Sequence, residues 1–174
     1  MEPPPNRPSV LIVDDDTMVL ATLQVTLSTE PYDVVISSSP IQALTLLPTR
    51  DFAVIISDQR MPKMLGLDFL VECRRLRPRA SRILLTAVLD LTTAMDAINR
   101  GQICRFIAKP WLNAELVSAI RDAIQRHALA THHEALEAET VRLNAQLLQA
   151  NRELASQQQE LERQRALNAA AAAR

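Results

Sequence analysis

The sequence predicts an α/β fold, a doubly wound parallel sheet of five strands followed by one long helix, and three observations predict it. Five short runs of branched apolar residues alternate with stretches of helical period between Ser9 and Pro110. Apolar residues make up 48% of the chain but aromatics only 3%, so Leu, Ala, Ile and Val must fill the core, as suits strands buried on both faces. From residue 111 to residue 174 the chain contains neither Gly nor Pro, which is the composition of an uninterrupted helix.

Taken in order, residues 1–8, "MEPPPNRP", hold four prolines and read as a flexible tail. The strands are "SVLIV" (9–13), "DVVIS" (33–37), "AVIIS" (53–57), "RILLT" (82–86) and "RFIA" (105–108). Helices are expected over 16–29, 40–47, 66–76 and 91–100. Asp16 or Thr17 caps the first, Pro40 suits the first turn of the second, and Pro31, Pro48 and Pro78 close three of them. Strands alternating with helices imply parallel pairing, right-handed crossovers and helices on both faces of the sheet. In such sheets ligands bind outside the carboxyl ends of the strands.

The final helix, from about Leu112 to Ala171, would span about 90 Å at ~1.5 Å per residue. Its apolar register places Leu129, Leu136, Leu143 and Ala150 at d positions and Leu147, Leu154 and Leu161 at a positions, the spacing of a coiled-coil seam. Thr140, Gln157, Gln164 and Asn168 share that seam and weaken it. Glu160 at g and Arg165 at the following e attract across a parallel dimer. The expected organisation is a tail over 1–8, a domain over 9–128 and a dimerising helix over 129–174.

Nineteen basic and twenty acidic residues leave a net charge of −1, which offers no field to draw the chain to nucleic acid or a membrane. Nowhere do 18 apolar residues run together, and "MEPPPNRP" has no apolar segment behind a basic start, so a cytoplasmic location is expected. Cys73 and Cys104 lie in apolar stretches without ligand spacing and are expected in the core. His127, His132 and His133 read as a solvated helix face.

Chemistry concentrates at the strand ends. The first strand is followed by Asp14 and Asp15, the third by Asp58 and the fifth by Lys109, and the fourth ends in Thr86. Carboxylates gathered on one rim repel by about 4 kcal/mol per close pair at an effective dielectric near 20, so a positive partner is required. A hard divalent cation, Mg²⁺ (or Mn²⁺), takes oxygen ligands and commonly only one or two carboxylates, and Lys109 adds a fixed charge. Asp58 then suits a carboxylate nucleophile that forms an acyl phosphate, with Thr86 donating a hydrogen bond to the transferred group.

With "VDDD", "SDQRMP", "LLTA" and "FIAKPW" at successive strand ends, the segment from residue 9 to about 128 resembles the receiver domain of bacterial two-component response regulators. The resemblance implies a flavodoxin-like fold of strand order 2-1-3-4-5 and phosphorylation of Asp58 by a histidine kinase. It implies Mg²⁺ held by Asp15, Asp58 and the backbone carbonyl of Arg60, with Asp14 acting through water. It assigns Thr86, Ala87 and Lys109 to the phosphoryl group, Phe106 to the conformational switch, and a cis bond to Lys109–Pro110. Leu65 departs from the small polar residue usual before Gly66. Arg60 and Val88 occupy positions that tune hydrolysis, and their bulk implies a slowly hydrolysed phosphate.

The output expected is a change in a parallel homodimer built on Leu129, Leu136, Leu143, Leu147, Leu154 and Leu161, or in a downstream effector or an output domain beyond this chain. Two competing readings are a scaffold whose receiver site is idle and a dehalogenase-like phosphatase. The latter needs Asp-x-Asp-x-Thr/Val, and although Asp14 and Asp16 are spaced for it, Met18 stands at the fifth position.

Overall fold

The computed structural model describes residues 7–87, 91–99 and 102–172. Each branched apolar run forms a strand: β1 (Ser9–Val13), β2 (Asp33–Ser37), β3 (Val54–Asp58), β4 (Ser81–Ala87) and β5 (Arg105–Lys109). The helices are α1 (Thr17–Leu27), α2 (Pro40–Leu46), α3 (Gly66–Leu76), α4 (Leu91–Asn99) and α5 (Asn113–Ala172), with a 3₁₀ turn over Leu47–Thr49. All four ladders are parallel and the strand order is β2-β1-β3-β4-β5. The chain reverses direction beside β1, so β1 and β3 neighbour one another at the switch point where such sheets keep their sites.

The two-residue period of the strands sorts the core onto two faces. Val10, Ile12, Val54, Ile56, Ile83, Leu85 and Ile107 pack with Leu20, Leu23 and Leu27 of α1 and Leu116, Ala119, Ile120 and Ala123 of α5. Leu11, Val13, Ile55 and Leu84 pack on the other face with Ala43, Phe69, Leu70, Cys73 and Ala97 from α2, α3 and α4. Trp111, the single tryptophan, is half-buried against the first cluster.

Several boundaries differ from the sequence expectation. β3 runs from Val54 to Asp58 instead of 53–57, because Asp58 pairs with Leu85 in the β3–β4 ladder. β4 and β5 extend to Ala87 and Lys109, which pair with each other. The carboxylate and the lysine therefore belong to the sheet itself. α1 stops at Leu27, where the Ser28 amide and hydroxyl both donate to the Val25 carbonyl. Pro48 lies within the 3₁₀ turn after α2. Cys73 is buried as expected, but Cys104 is only half-buried, its sulfur accepting from the Arg82 amide at 3.0 Å. Burial pushes the Cys73 thiol up to about 12.

α5 is amphipathic only in its first turns, where Leu116, Ala119, Ile120 and Ala123 are buried at helical spacing. His127 is not simply solvated: its Nδ1 lies 3.0 Å from the Arg79 carbonyl, and every described residue from Ala128 to Arg165 is exposed. The chain divides into two units between Thr131 and His132. Among the described residues no helix is long and apolar enough to cross a membrane.

Candidate functional site

The site is assembled from the carboxyl ends of β1, β3, β4 and β5. After Val13 the chain turns outward, and the Asp14 amide donates to the Ser37 carbonyl at the end of β2 (3.3 Å). Asp14 is only 1% exposed, and its Oδ1 accepts the Asp16 amide at 2.9 Å. Asp16 in turn caps α1, its Oδ1 accepting from the amides of Met18 (2.8 Å) and Val19 (3.4 Å). Of the three aspartates, Asp16 is thus committed to the helix, Asp14 is buried and Asp15 faces solvent.

Asp58 enters from β3. It is 6% exposed, and its Oδ2 accepts the Arg60 amide at 2.5 Å. Lys109 reaches between the carboxylates, its Nζ 2.9 Å from Asp14 Oδ2 and in an ion pair with Asp58 Oδ1. Each of Asp14, Asp15 and Asp58 offers an oxygen within 4.8 Å of the others. Three hard oxygen donors, one of them open to water, fit a hydrated divalent cation such as Mg²⁺.

Thr86 is fully buried, one residue beyond the β4 partner of Asp58. Its hydroxyl donates to the Ala87 carbonyl at 3.2 Å, while Ala87 itself is exposed at the rim. Phe106 is half-buried against the second core cluster. The Lys109–Pro110 bond is cis. Val88 lies outside the described residues. Leu136, Leu143, Leu147, Leu154 and Leu161 belong to the second unit.

The family model for the response regulator receiver domain matches residues 10–121. The chain belongs to this family.

Relatives of this receiver domain include the hydrogenase transcriptional regulatory protein HoxA of Cupriavidus necator, 34% identical over 75% of this chain and 27% of the relative. The transcriptional regulatory protein GlrR of Escherichia coli is 34% identical over 74% of this chain and 29% of its own length. The chain therefore spans under a third of these curated relatives, which are transcriptional regulators. Among solved structures, a receiver domain of an HD domain-containing protein from Pseudomonas fluorescens superposes with a TM-score of 0.67 at 37% identity, covering 71% of this chain and 98% of that one. A response regulator receiver domain from Clostridium thermocellum gives 0.67 at 30% identity, covering 71% and 98%.

The electrostatics of the receiver site follow from its burial. Desolvation raises the Asp14 carboxyl above the usual range, and the Lys109 and Asp16 hydrogen bonds pull it down without cancelling that rise. For Lys109 burial works to lower the ammonium, but the hydrogen bonds it donates to Asp58 and Asp14, with their charges, outweigh it and leave the value raised. Lys109 is thus held cationic at the centre of the cluster.

Two residues that the sequence reading left without a role complete the receiver site. An added Cβ at Gly66 would lie 1.8 Å from the Asp58 carbonyl oxygen, so only glycine lets the start of α3 reach the end of β3. The signal was available, because the chain has just two glycines. Gln59, beside Asp58, is 8% exposed and bonded through both backbone and side chain. No local pattern announces it.

Proposed function

We propose that this receiver domain accepts a phosphoryl group on Asp58 from a histidine kinase and relays its phosphorylation state to the carboxy-terminal helix. The observation that carries the reading is the convergence of Asp14, Asp15 and Asp58 around Lys109. Asp14, Asp15, Asp58 and the Arg60 backbone carbonyl would hold Mg²⁺ or Mn²⁺, which when bound offsets the negative charge of carboxylates and phosphoryl oxygens. Asp58 attacks phosphorus through a carboxylate oxygen. The O–P bond forms as the P–N bond of the donor phosphohistidine breaks, and the departing imidazole keeps the electron pair and takes a proton. Lys109 stabilises charge on the transferred group, and Thr86 and the Ala87 backbone hold its oxygens.

In the switch, Thr86 turns its hydroxyl from the Ala87 carbonyl toward the phosphoryl group and Phe106 follows inward, repacking the face formed by α4, β5 and α5. Arg60 and Val88 slow hydrolysis by restricting water. The domain extends over 9–128 after a tail over 1–8, and 129–174 forms a parallel homodimer through Leu129, Leu136, Leu143, Leu147, Leu154 and Leu161. The first and last of these leucines are 70% and 50% exposed in the single chain. The g column holds Glu139, Glu153 and Glu160. Antiparallel helices would set these glutamates against each other, whereas parallel helices oppose them to Asn144, Gln158 and Arg165. The output passes to an effector or a further domain. The proposed setting is the cytoplasm, with neither nucleic acid nor membrane engaged by this chain.

The phosphatase reading is disfavoured because the Asp16 carboxylate is occupied in capping α1, and the reading of an idle scaffold leaves the buried charge cluster without a use. The test is intact-mass spectrometry of the wild type and Asp58→Asn after acetyl phosphate with Mg²⁺, alongside light scattering. A modification present only in the wild type is expected, and its absence from both would leave the scaffold.

A further inference from the structure

Gln59 is the residue through which the start of α3 is bound to the phosphoacceptor strand. At the head of α3 the N-cap position is Leu65, whose side chain makes no capping bond. A helix start leaves its first amides without partners unless a cap or another element supplies them. Here the partners come from one residue, seven and eight positions upstream of the amides it serves. The Gln59 carbonyl accepts the Gly66 amide at 2.9 Å, and the Gln59 side-chain Oε1 accepts the Leu67 amide at 3.1 Å. The Gln59 amide donates to Leu85 of β4 at 2.9 Å. One nearly buried residue therefore joins β3, β4 and α3.

Its neighbours are the two residues that the proposed site needs on one backbone segment. Asp58 precedes it, and Arg60 follows with its amide on the Asp58 carboxylate. We infer that Gln59 is a positioning residue for the divalent-cation site: by capping α3 from the strand end, its side chain holds the Asp58–Arg60 segment in the geometry that binds Mg²⁺. This deepens the phosphoacceptor reading and rests on it. The inference belongs to this chain in particular, because Leu65 supplies no cap of its own.

The experiment compares wild type, Gln59→Leu, Gln59→Glu and the double variant Gln59→Leu/Leu65→Ser. Glutamate keeps an acceptor at the same reach, and the Leu65→Ser change would give α3 a local cap that is not tied to β3. Calorimetric Mg²⁺ titration reads the site, amide hydrogen exchange over residues 66 and 67 reads the cap, and phosphoryl uptake is followed as a function of Mg²⁺ concentration. Gln59→Leu is expected to speed exchange and weaken Mg²⁺ binding by about tenfold, the lower end of what loss of an outer-sphere partner does, so that phosphoryl uptake half-saturates at correspondingly higher Mg²⁺. Gln59→Glu should keep exchange slow.

The double variant decides the matter, since it should recover slow exchange but not Mg²⁺ affinity. Recovery of both would overturn the positioning role and leave Gln59 a structural cap. If Gln59→Leu does not fold while the double variant does, the same comparison is made between wild type and double variant. A wild type that binds no Mg²⁺ would overturn the site reading, and the positioning role with it.

Discussion

At the scale of single residues, the two groups that share one hydrogen bond respond to pH in the same sense but in different windows. Asp14 has a folded pKa above that of the unfolded chain, chiefly through burial, so the folded state binds its proton more tightly. Stability from this group then falls as pH rises from the ordinary carboxylate value through the raised one. Lys109 is also raised, and its contribution is complete below the ordinary lysine value and lost as pH climbs through the folded one. In metal-free buffer Asp14→Asn should therefore melt at a higher temperature than wild type near pH 7, with a flatter profile from about pH 4 upward. Lys109→Met should remove the decline that wild type shows above about pH 10. Thermal melts across pH test both, and a lower midpoint for Asp14→Asn at pH 7 would mean that the ion pair with Lys109 outweighs the cost of burial.

At the scale of elements, the approach of α3 to β3 is the tightest constraint on the site. Gly66→Ala forces a methyl group into the Asp58 carbonyl, where backbone must give way. An overpacking cost of about 1–3 kcal/mol is expected, read as a lower urea midpoint, with phosphoryl uptake reduced because the displaced backbone is that of Asp58. An unchanged midpoint would show that α3 can slide outward freely. On the opposite rim, Arg82 is 7% exposed and donates to the carbonyls of Gln102 (2.7 Å) and Ala80 (2.6 Å). Burial lowers its pKa, and the cation is held by backbone oxygens from two loops below the sheet.

The elements also mark where sequence reading ends. Five strands were legible because branched apolar residues in short runs report burial on two faces, as Ile12 and Ile56 do. Their ends were not, because Asp58 and Lys109 are polar and join the ladder only through register with Leu85 and Ala87 on neighbouring strands. The charge cluster was legible from Asp14, Asp15, Asp58 and Lys109 at successive strand ends. The capping of α3 by Gln59 was not, since helix-start signals are local and this cap comes from another element. His127 likewise read as a solvated residue because its partner, the Arg79 carbonyl, is 48 positions away in the chain.

At the scale of the whole molecule, the receiver domain and the helix are separable by mutation. Leu143 and Leu147 are 49% and 61% exposed and lie in the proposed seam, far in sequence from the charge cluster. Replacing both by aspartate should yield a monomer by light scattering at micromolar concentration, while Asp58 modification by acetyl phosphate continues within about twofold of wild type, the range expected of distant, independent sites. A wild type already monomeric under these conditions would sink the seam.

Trp111 has a consequence of another kind. It is the single tryptophan, half-buried against the core and two residues from Lys109. Its indole emission therefore arises from one place, close in sequence to the lysine of the charge cluster and undiluted by other fluorophores of its type. The molecule carries its own optical probe, and quenching or a spectral shift on adding cation or acetyl phosphate would report the site in real time without a label.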